Sequence, residues 1–293
     1  MGVNCRARNS LILRSTTYFI SEMLEGAWMS KVKIRDIEVY YEVRGEGPRL
    51  LYIGGTGGDL RDKPNIFDSP LSEHFKILAY DQRGLGQTDK PDKPYTMADY
   101  AEDAHQLVQS VGWNSSHVLG VSFGGMVAQE YALRFPSMVE RLVLACTSSG
   151  GRGGASYPLH ELSGLGSEDR AGILIGLLDN RMGEAWRRSN PEKYGEALKE
   201  MMTPSPFIDE PGRAVGAVRQ LEARREHDTF DRLPQLGMPV YICGGRYDGL
   251  SVSVNLEALH GRIRGSALEF FEGGHMFLRQ DPNAFKRIVS FLS

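Results

Sequence analysis

The chain has 293 residues, a formal net charge of −3 and three cysteines. This length is enough for one large domain with an insertion, and the small negative charge gives no electrostatic basis for binding nucleic acid. Three scattered cysteines do not make a disulfide framework, and no apolar run approaches the length of a membrane span. We therefore expect a cytoplasmic protein without a nucleic-acid or membrane partner. The sequence leaves its oligomeric state open.

Residues 1–28 differ in composition from the rest of the chain. Their first 21 residues contain three arginines and several hydroxyl residues but no acid, which is typical of an organellar transit peptide. Alternatively, translation starts at Met29, because the pattern of a first β-hairpin follows at once in residues 31–34 and 37–43. Under either interpretation we expect residues 1–28 to be peripheral or disordered.

A glycine-rich loop follows the next predicted strand, residues 49–53. It contains Gly54, Gly55 and Thr56 and continues with two more glycines, so another part of the backbone can approach it closely. A phosphate-binding loop is disfavoured, since no Lys-Ser or Lys-Thr pair follows and the spacing G-x-G-x-x-G is not met. A strand over residues 75–80 and a helix over residues 96–111 come next, the helix with Thr96 as its N-cap.

The segment Gly120-Val121-Ser122-Phe123-Gly124 has the pattern G-x-S-x-G. A short apolar strand precedes it and a helix-forming stretch follows it, and strand, sharp turn and helix are the setting of a nucleophile elbow. Gly120 and Gly124 fit such a turn, because it is tight enough to strain Ser122 and leaves no room for neighbouring Cβ atoms. Ser122 is therefore the candidate nucleophile.

Strand patterns stop after residues 141–146 and return only after residue 235. Gly/Ser-rich segments, prolines and helical patterns replace them. We interpret residues 147–235 as a mainly helical cap inserted between the two parts of a core, residues 29–146 and 236–293.

Trp186 in this cap is a candidate for filling an acyl pocket, with Arg187 and Arg188 meeting a substrate carboxylate. The alternative is a solvated helix face with one buried aromatic ring, and it is favoured. The same two interpretations apply to three arginines further along the cap, Arg219, Arg224 and Arg225.

An acid and a base are expected after the serine in chain order. Asp248 follows a strand that ends in a glycine turn, and His275 follows a strand over residues 267–271. Both therefore lie on loops at the carboxyl ends of strands, where open α/β sheets bind their ligands. The rival acid position, residues 147–152, contains neither Asp nor Glu. A competing role for Asp248 is to cap a helix that begins near Ser251.

The other histidines are weaker candidates for the base. Three of them lie in polar, helical stretches expected at the surface, one lies beside the strand that leads to Ser122, and two lie in settings without a strand end. They are, in that order, His74, His105 and His227, then His117, then His160 and His260.

Together these motifs resemble those of an α/β-hydrolase-fold serine hydrolase. The resemblance also includes residues 81–89, which are similar to the family's D-x-R-G-x-G-x-S turn. It implies a doubly wound, mostly parallel α/β sheet with an inserted helical cap. Less specific sequence patterns in residues 141–147 and 219–228 are most similar to the 3-oxoadipate enol-lactonase and small-carboxylesterase group.

The oxyanion loop departs from the family pattern. Members of this family commonly have His-Gly at its start, and this chain has Gly54 there. By position, one backbone donor for the oxyanion falls on Thr56, and the other belongs to Phe123, the residue after the nucleophile. The missing histidine leaves open what braces the loop.

The resemblance implies acyl transfer through Ser122, Asp248 and His275, with a small ester or lactone as substrate and without a cofactor or metal. Three alternatives remain: a slow-turnover ligand receptor or signalling module on the same fold, an acyltransferase or perhydrolase, and a carbon–carbon bond hydrolase. They would use the same triad.

Overall fold

The structure is a computed structural model and describes residues 28–293. Within that range, one sheet contains eight strands, in the order β1-β2-β4-β3-β5-β6-β7-β8. The strands are β1 (Trp28–Ile34), β2 (Ile37–Arg44), β3 (Arg49–Ile53), β4 (Lys76–Tyr80), β5 (Ser116–Val121), β6 (Val139–Ala145), β7 (Val240–Gly245) and β8 (Ala267–Phe271). β2 pairs with β1 and β4 in antiparallel fashion, and the remaining pairs are parallel. The predicted mostly parallel α/β sheet is confirmed.

Nine α-helices are found in the same range. They are α1 (Met97–Ser110), α2 (Phe123–Arg134), α3 (Ser167–Leu178), α4 (Glu184–Ser189), α5 (Pro191–Met202), α6 (Arg213–Arg225), α7 (Ser253–Arg262), α8 (Phe277–Gln280) and α9 (Pro282–Leu292). None of these helices has the length and apolar character needed to cross a bilayer.

Apolar residues fill both faces of the sheet, which is what makes the sheet doubly wound. One cluster joins the strands to α1, α2 and α7, and the other joins them to α9 and the turns after β3. The central strands are therefore covered on both sides; in β5, residues 116–120 are all buried, including the polar Ser116 and His117. The predicted capping box of α1 is present, with Thr96 and Asp99 bonding reciprocally.

The turn over residues 81–89 anchors the loops at the carboxyl edge of the sheet. Asp81 accepts hydrogen bonds from the backbone N–H of Leu60 (2.7 Å) and of Gln87 (2.8 Å), and burial raises the pKa of Asp81 to about 6. Arg83 is buried in an ion pair with Asp103, Nε–Oδ2 2.7 Å. These buried polar contacts fix the turn beside the glycine-rich loop.

Between β6 and β7 the chain forms α3 to α6 and several 3₁₀ turns, with one isolated bridge between Gly150 and Asp228. The exact division into a core and a cap over residues 147–235 stays a prediction. The transit-peptide interpretation concerns residues outside the described part of the chain, apart from Trp28 at the start of β1.

Candidate active site

Ser122 lies between β5 and α2 in an unusual backbone conformation. Its φ of 57° and ψ of −118° are sterically unfavourable for a residue with a side chain, and such strain persists only where the surroundings impose it. A Cβ at Gly124 would overlap the carbonyl oxygens of Ile53 and Gly54, and one at Gly120 would overlap the oxygen of Gly124. Glycine is therefore required at both positions for β3, β5 and α2 to approach closely.

The structure brings the three predicted triad residues together. His275 Nε2 lies 3.0 Å from Ser122 Oγ, and His275 Nδ1 lies 2.7 Å from Asp248 Oδ2. Asp248 is 2% exposed, so its bond to the imidazole is shielded from water. An ionised carboxylate accepts the Nδ1 proton, which leaves the Nε2 lone pair facing the serine hydroxyl. The arrangement can accept a proton from Ser122.

Asp248 also holds its own loop. Its Oδ1 accepts hydrogen bonds from the backbone N–H of Leu250 (2.8 Å) and of Ser251 (2.9 Å), just before α7. α7 begins at Ser253 with Val252 as its N-cap and without a side-chain cap bond, so Asp248 does not cap this helix. The helix-capping role expected as the competing interpretation is therefore wrong, and the two oxygens of Asp248 hold its loop and the imidazole.

The C-terminal end of α3 supports both loops. His275 N donates to Leu178 O at 2.7 Å, and Gly249 N donates to Leu177 O at 2.9 Å. Unpaired carbonyls at a helix end need donors, and these loop amides supply them. Nothing in the local sequence pattern of α3 indicated this contact.

The glycine-rich loop lies against the nucleophile. A Cβ at Gly55 would be 3.5 Å from Ser122 Cβ. Among the described residues, the amides of Thr56 and Phe123 have no hydrogen-bond partner. Phe123 is the first residue of α2, so its N–H is one of the free donors at a helix N-terminus. Both amides are therefore available as donors, and their role in catalysis stays a prediction.

Two glutamines brace this loop in place of the histidine common in the family. Gln82 Nε2 donates to Gly54 O at 2.9 Å, and Gln220 Oε1 accepts from Gly57 N at 2.9 Å. Sequence reasoning missed both. Gln82 lies in the D-x-R-G turn and Gln220 in α6, at sequence separations that no local pattern spans.

Cys146 Sγ lies within 4.8 Å of ligand atoms of Asp248 and His275. Burial raises the pKa of the Cys146 thiol well above its ordinary value, so the thiol stays protonated and is a poor metal ligand. Asp248 and His275 are already bonded to each other. This donor set does not fit a metal ion, and the expectation of a metal-free site remains a prediction.

Trp186 lies half-buried on α4, which packs against α5. No hydrogen bond or ring contact within residues 28–293 joins its side chain to the triad, so its proposed pocket role stays a prediction. Arg187 donates to Gly172 O at 2.6 Å, and Arg188 pairs with Glu184 on the surface. Arg188 is exposed, as expected for a solvated helix face, whereas Arg187 is half-buried and holds a backbone carbonyl.

Two surface expectations are wrong. His227 is 6% exposed, because it follows α6 into the interior, where its Nε2 bonds Ser148 O at 3.2 Å. Arg224 is 8% exposed, although its neighbour Arg225 is exposed and pairs with Glu226. The buried residues of α6 are 216, 220, 223 and 224, which is the spacing of one helix face. Because this buried face includes Gln220 and Arg224, the apolar periodicity of the sequence does not indicate it.

Residues 48–282 match the family model described as the alpha/beta hydrolase fold. The chain belongs to the α/β-hydrolase fold family. An uncharacterized protein of Mycobacterium tuberculosis is 30% identical over 262 residues, which cover 85% of this chain and 76% of the relative. A poly(3-hydroxyalkanoate) depolymerase of Ectopseudomonas oleovorans is 25% identical over 242 residues, which cover 82% of each chain.

The crystal structure of an enol-lactonase from Burkholderia xenovorans has a TM-score of 0.72 and 21% identity. The match covers 90% of this chain and 99% of that chain, and it shows a common fold. The fold and family expected from the sequence motifs are therefore confirmed. Membership places this protein among hydrolases that act on small molecules.

Proposed function

We propose that this protein hydrolyses a small carboxylic ester or lactone through an acyl-enzyme on Ser122. The observation that carries the proposal is the continuous chain from Ser122 Oγ through His275 to the buried Asp248, with distances of 3.0 and 2.7 Å. A serine hydroxyl attacks a carbonyl only when a base removes its proton and a third group orients that base. All three groups are within hydrogen-bonding reach.

The first step is attack of Ser122 Oγ on the substrate carbonyl while His275 Nε2 takes the hydroxyl proton. The carbonyl oxygen gains negative charge, which the amides of Thr56 and Phe123 stabilise by hydrogen bonds. His275 then donates the proton to the leaving alkoxide, and Asp248 stabilises the imidazolium that exists between these events.

The second step uses the same groups with water. His275 removes a proton from a water molecule, the hydroxide attacks the acyl carbonyl, and collapse of the second intermediate returns the proton to Ser122 and releases the acid. An ester or lactone is favoured as substrate because the proposed nucleophile is a serine. Dehalogenation and epoxide hydrolysis on this fold use a carboxylate as the nucleophile instead. Similarity to a poly(3-hydroxyalkanoate) depolymerase supports an acyl substrate.

The test combines active-site labelling with turnover. A fluorophosphonate probe is expected to label wild-type protein and not Ser122→Ala, and Ser122→Ala is expected to lose about 10⁴-fold or more of kcat on 4-nitrophenyl acetate. Ser163→Ala, an exposed serine in a 3₁₀ turn, is the matched control and should be unchanged. Equal rates for Ser122→Ala and wild type would refute the nucleophile.

A panel of short-chain esters and lactones separates the alternatives. Many turnovers per protein molecule indicate a hydrolase, whereas labelling followed by release of a single acyl equivalent indicates the slow-turnover receptor. Added alcohol or peroxide that diverts the acyl group from water indicates an acyltransferase or perhydrolase.

A further inference from the structure

A cavity of about 100 Å³ lies between α2, the segment after β6 and the end of α6. Its volume is several times what one water molecule requires, so a small organic ion fits. The lining includes two serines, two histidines, one methionine and a buried arginine: Ser148, Ser156, His160, His227, Met126 and Arg224. None of the proposed catalytic residues belongs to this lining.

Arg224 carries a charge that the described protein does not neutralise. Its side chain is in contact with Ser156 Oγ, 2.7 Å from Nη2, and its Nε has no hydrogen-bond partner. No carboxylate within residues 28–293 forms an ion pair with it. Burial lowers the pKa of Arg224 to about 10, so it stays protonated at neutral pH. An uncompensated buried cation is costly and is relieved by an anion.

The other arginines of α6 show what is unusual about this one. Arg213 pairs with Asp59 at 3.1 Å, Arg219 with Asp92 at 2.9 Å, and Arg225 with Glu226 at 2.9 Å. Arg224 is the most buried of the four and has no acidic partner among the described residues. Its guanidinium has five N–H donors, of which one is used by Ser156.

Hydroxyl groups complete a set of donors around this cation. Ser156 Oγ accepts from Arg224, so its own hydrogen is free to point into the cavity. Ser148 Oγ accepts from Ser156 N at 3.1 Å and likewise has a hydrogen to donate. His227 donates through Nε2 to a backbone carbonyl, and burial lowers its pKa to about 4, so it is neutral and does not add charge.

The cavity is close to the proposed active site through two elements. Met126, which lines it, donates its N–H to Ser122 O at 3.3 Å. Gln220, which holds the oxyanion loop, precedes Arg224 by four residues on the same face of α6, about 6 Å along the helix axis. Gln220 Nε2 is also buried without a partner. One face of α6 therefore contacts both the loop and the cavity.

We infer that this cavity is a binding site for a small carboxylate, held by Arg224 with Ser156 and Ser148. A planar carboxylate matches the guanidinium fork and accepts from both hydroxyls, which satisfies donors that are otherwise unused. The site exists independently of the acyl-transfer proposal, because none of its groups is needed for the triad. Its carboxylate belongs either to the substrate or to a separate ligand.

The test is an NMR titration of the full protein with sodium acetate, using sodium chloride as the control for ionic strength and acetamide as the uncharged control of similar shape. We expect saturable binding of acetate to wild type and at least 10-fold weaker binding to Arg224→Met, because charge-assisted hydrogen bonds are lost. Arg219→Met, on the same helix but paired at the surface, should bind as wild type does.

Arg224→Met should fold, since it removes an unpaired buried charge, and Ser156→Ala gives a milder second variant. Acetate that binds wild type no better than acetamide, or binds Arg224→Met equally well, overturns the proposal. Ser122→Ala must still bind acetate. The binding test therefore gives an answer even if the proposed ester hydrolysis is wrong. If acetate inhibits ester turnover competitively, the carboxylate belongs to the substrate. If acetate inhibits non-competitively, the carboxylate belongs to a separate ligand.

Discussion

Replacing Asp248 by asparagine tests the orientation of the base most sharply. The asparagine oxygen can take over the two backbone bonds of Asp248 Oδ1, to Leu250 and Ser251, but its NH₂ group then faces His275 Nδ1. The opposite orientation would point that NH₂ at two N–H groups, which is worse. The imidazole must therefore present its Nδ1 lone pair to the amide and its Nε2 proton to Ser122, which is the wrong tautomer.

The expected cost is large in rate and small in stability. The same change in a serine protease triad lowers kcat by about 10⁴-fold, which corresponds to about 5 kcal/mol of activation free energy. The free energy of unfolding should fall by only about 0.5–1.5 kcal/mol, the net contribution of one hydrogen bond. Asp248→Ala, in contrast, leaves two buried N–H groups unsatisfied at about 1–3 kcal/mol each.

The assay is kcat on a chosen ester together with urea unfolding of both variants and of Asp228→Asn, an exposed control. The expected pattern is an inactive, nearly fully stable Asp248→Asn and an inactive, destabilised Asp248→Ala. If Asp248→Asn keeps more than a tenth of wild-type kcat, Asp248 does not set the tautomer and the reasoning is wrong.

Three further predictions concern the surroundings of the site. Gly124→Ala should lower the free energy of unfolding by at least about 1–3 kcal/mol, because its Cβ would overlap carbonyl oxygens at the end of β3. The control Gly195→Ala lies on an open helix face and should be neutral or stabilising, with both variants measured by urea titration. Gln220→Leu removes the acceptor for Gly57 N and should lower kcat about 10-fold while fluorophosphonate labelling persists; an unchanged kcat contradicts the bracing role. Burial lowers the pKa of His227 to about 4 from 6.5, so between these values the unfolded chain binds a proton that the folded protein does not, and stability falls as pH falls. His227→Gln should reduce that loss by up to about 3 kcal/mol between pH 7 and pH 4, and an identical pH profile of unfolding would contradict the assignment.

The sequence by itself determined the features that depend on local geometry. The pattern around Ser122 requires glycines two residues to each side, because β3, β5 and α2 meet where any Cβ would collide. Asp248 and His275 could be chosen because each follows a strand, and parallel strands bring their carboxyl ends to one edge. The order and spacing of these motifs were enough to predict the fold family.

Only the tertiary structure decided what supports the site and what is buried in the cap. Gln220 reaches the glycine-rich loop, and the carbonyls of α3 receive the amides of the Asp248 and His275 loops, across separations that no local period encodes. Arg224 and Arg225 are adjacent and chemically identical, yet one is buried and one is exposed. A helix rotates by about 100° per residue, so the packing of α6 and not residue type selects which arginine faces the interior.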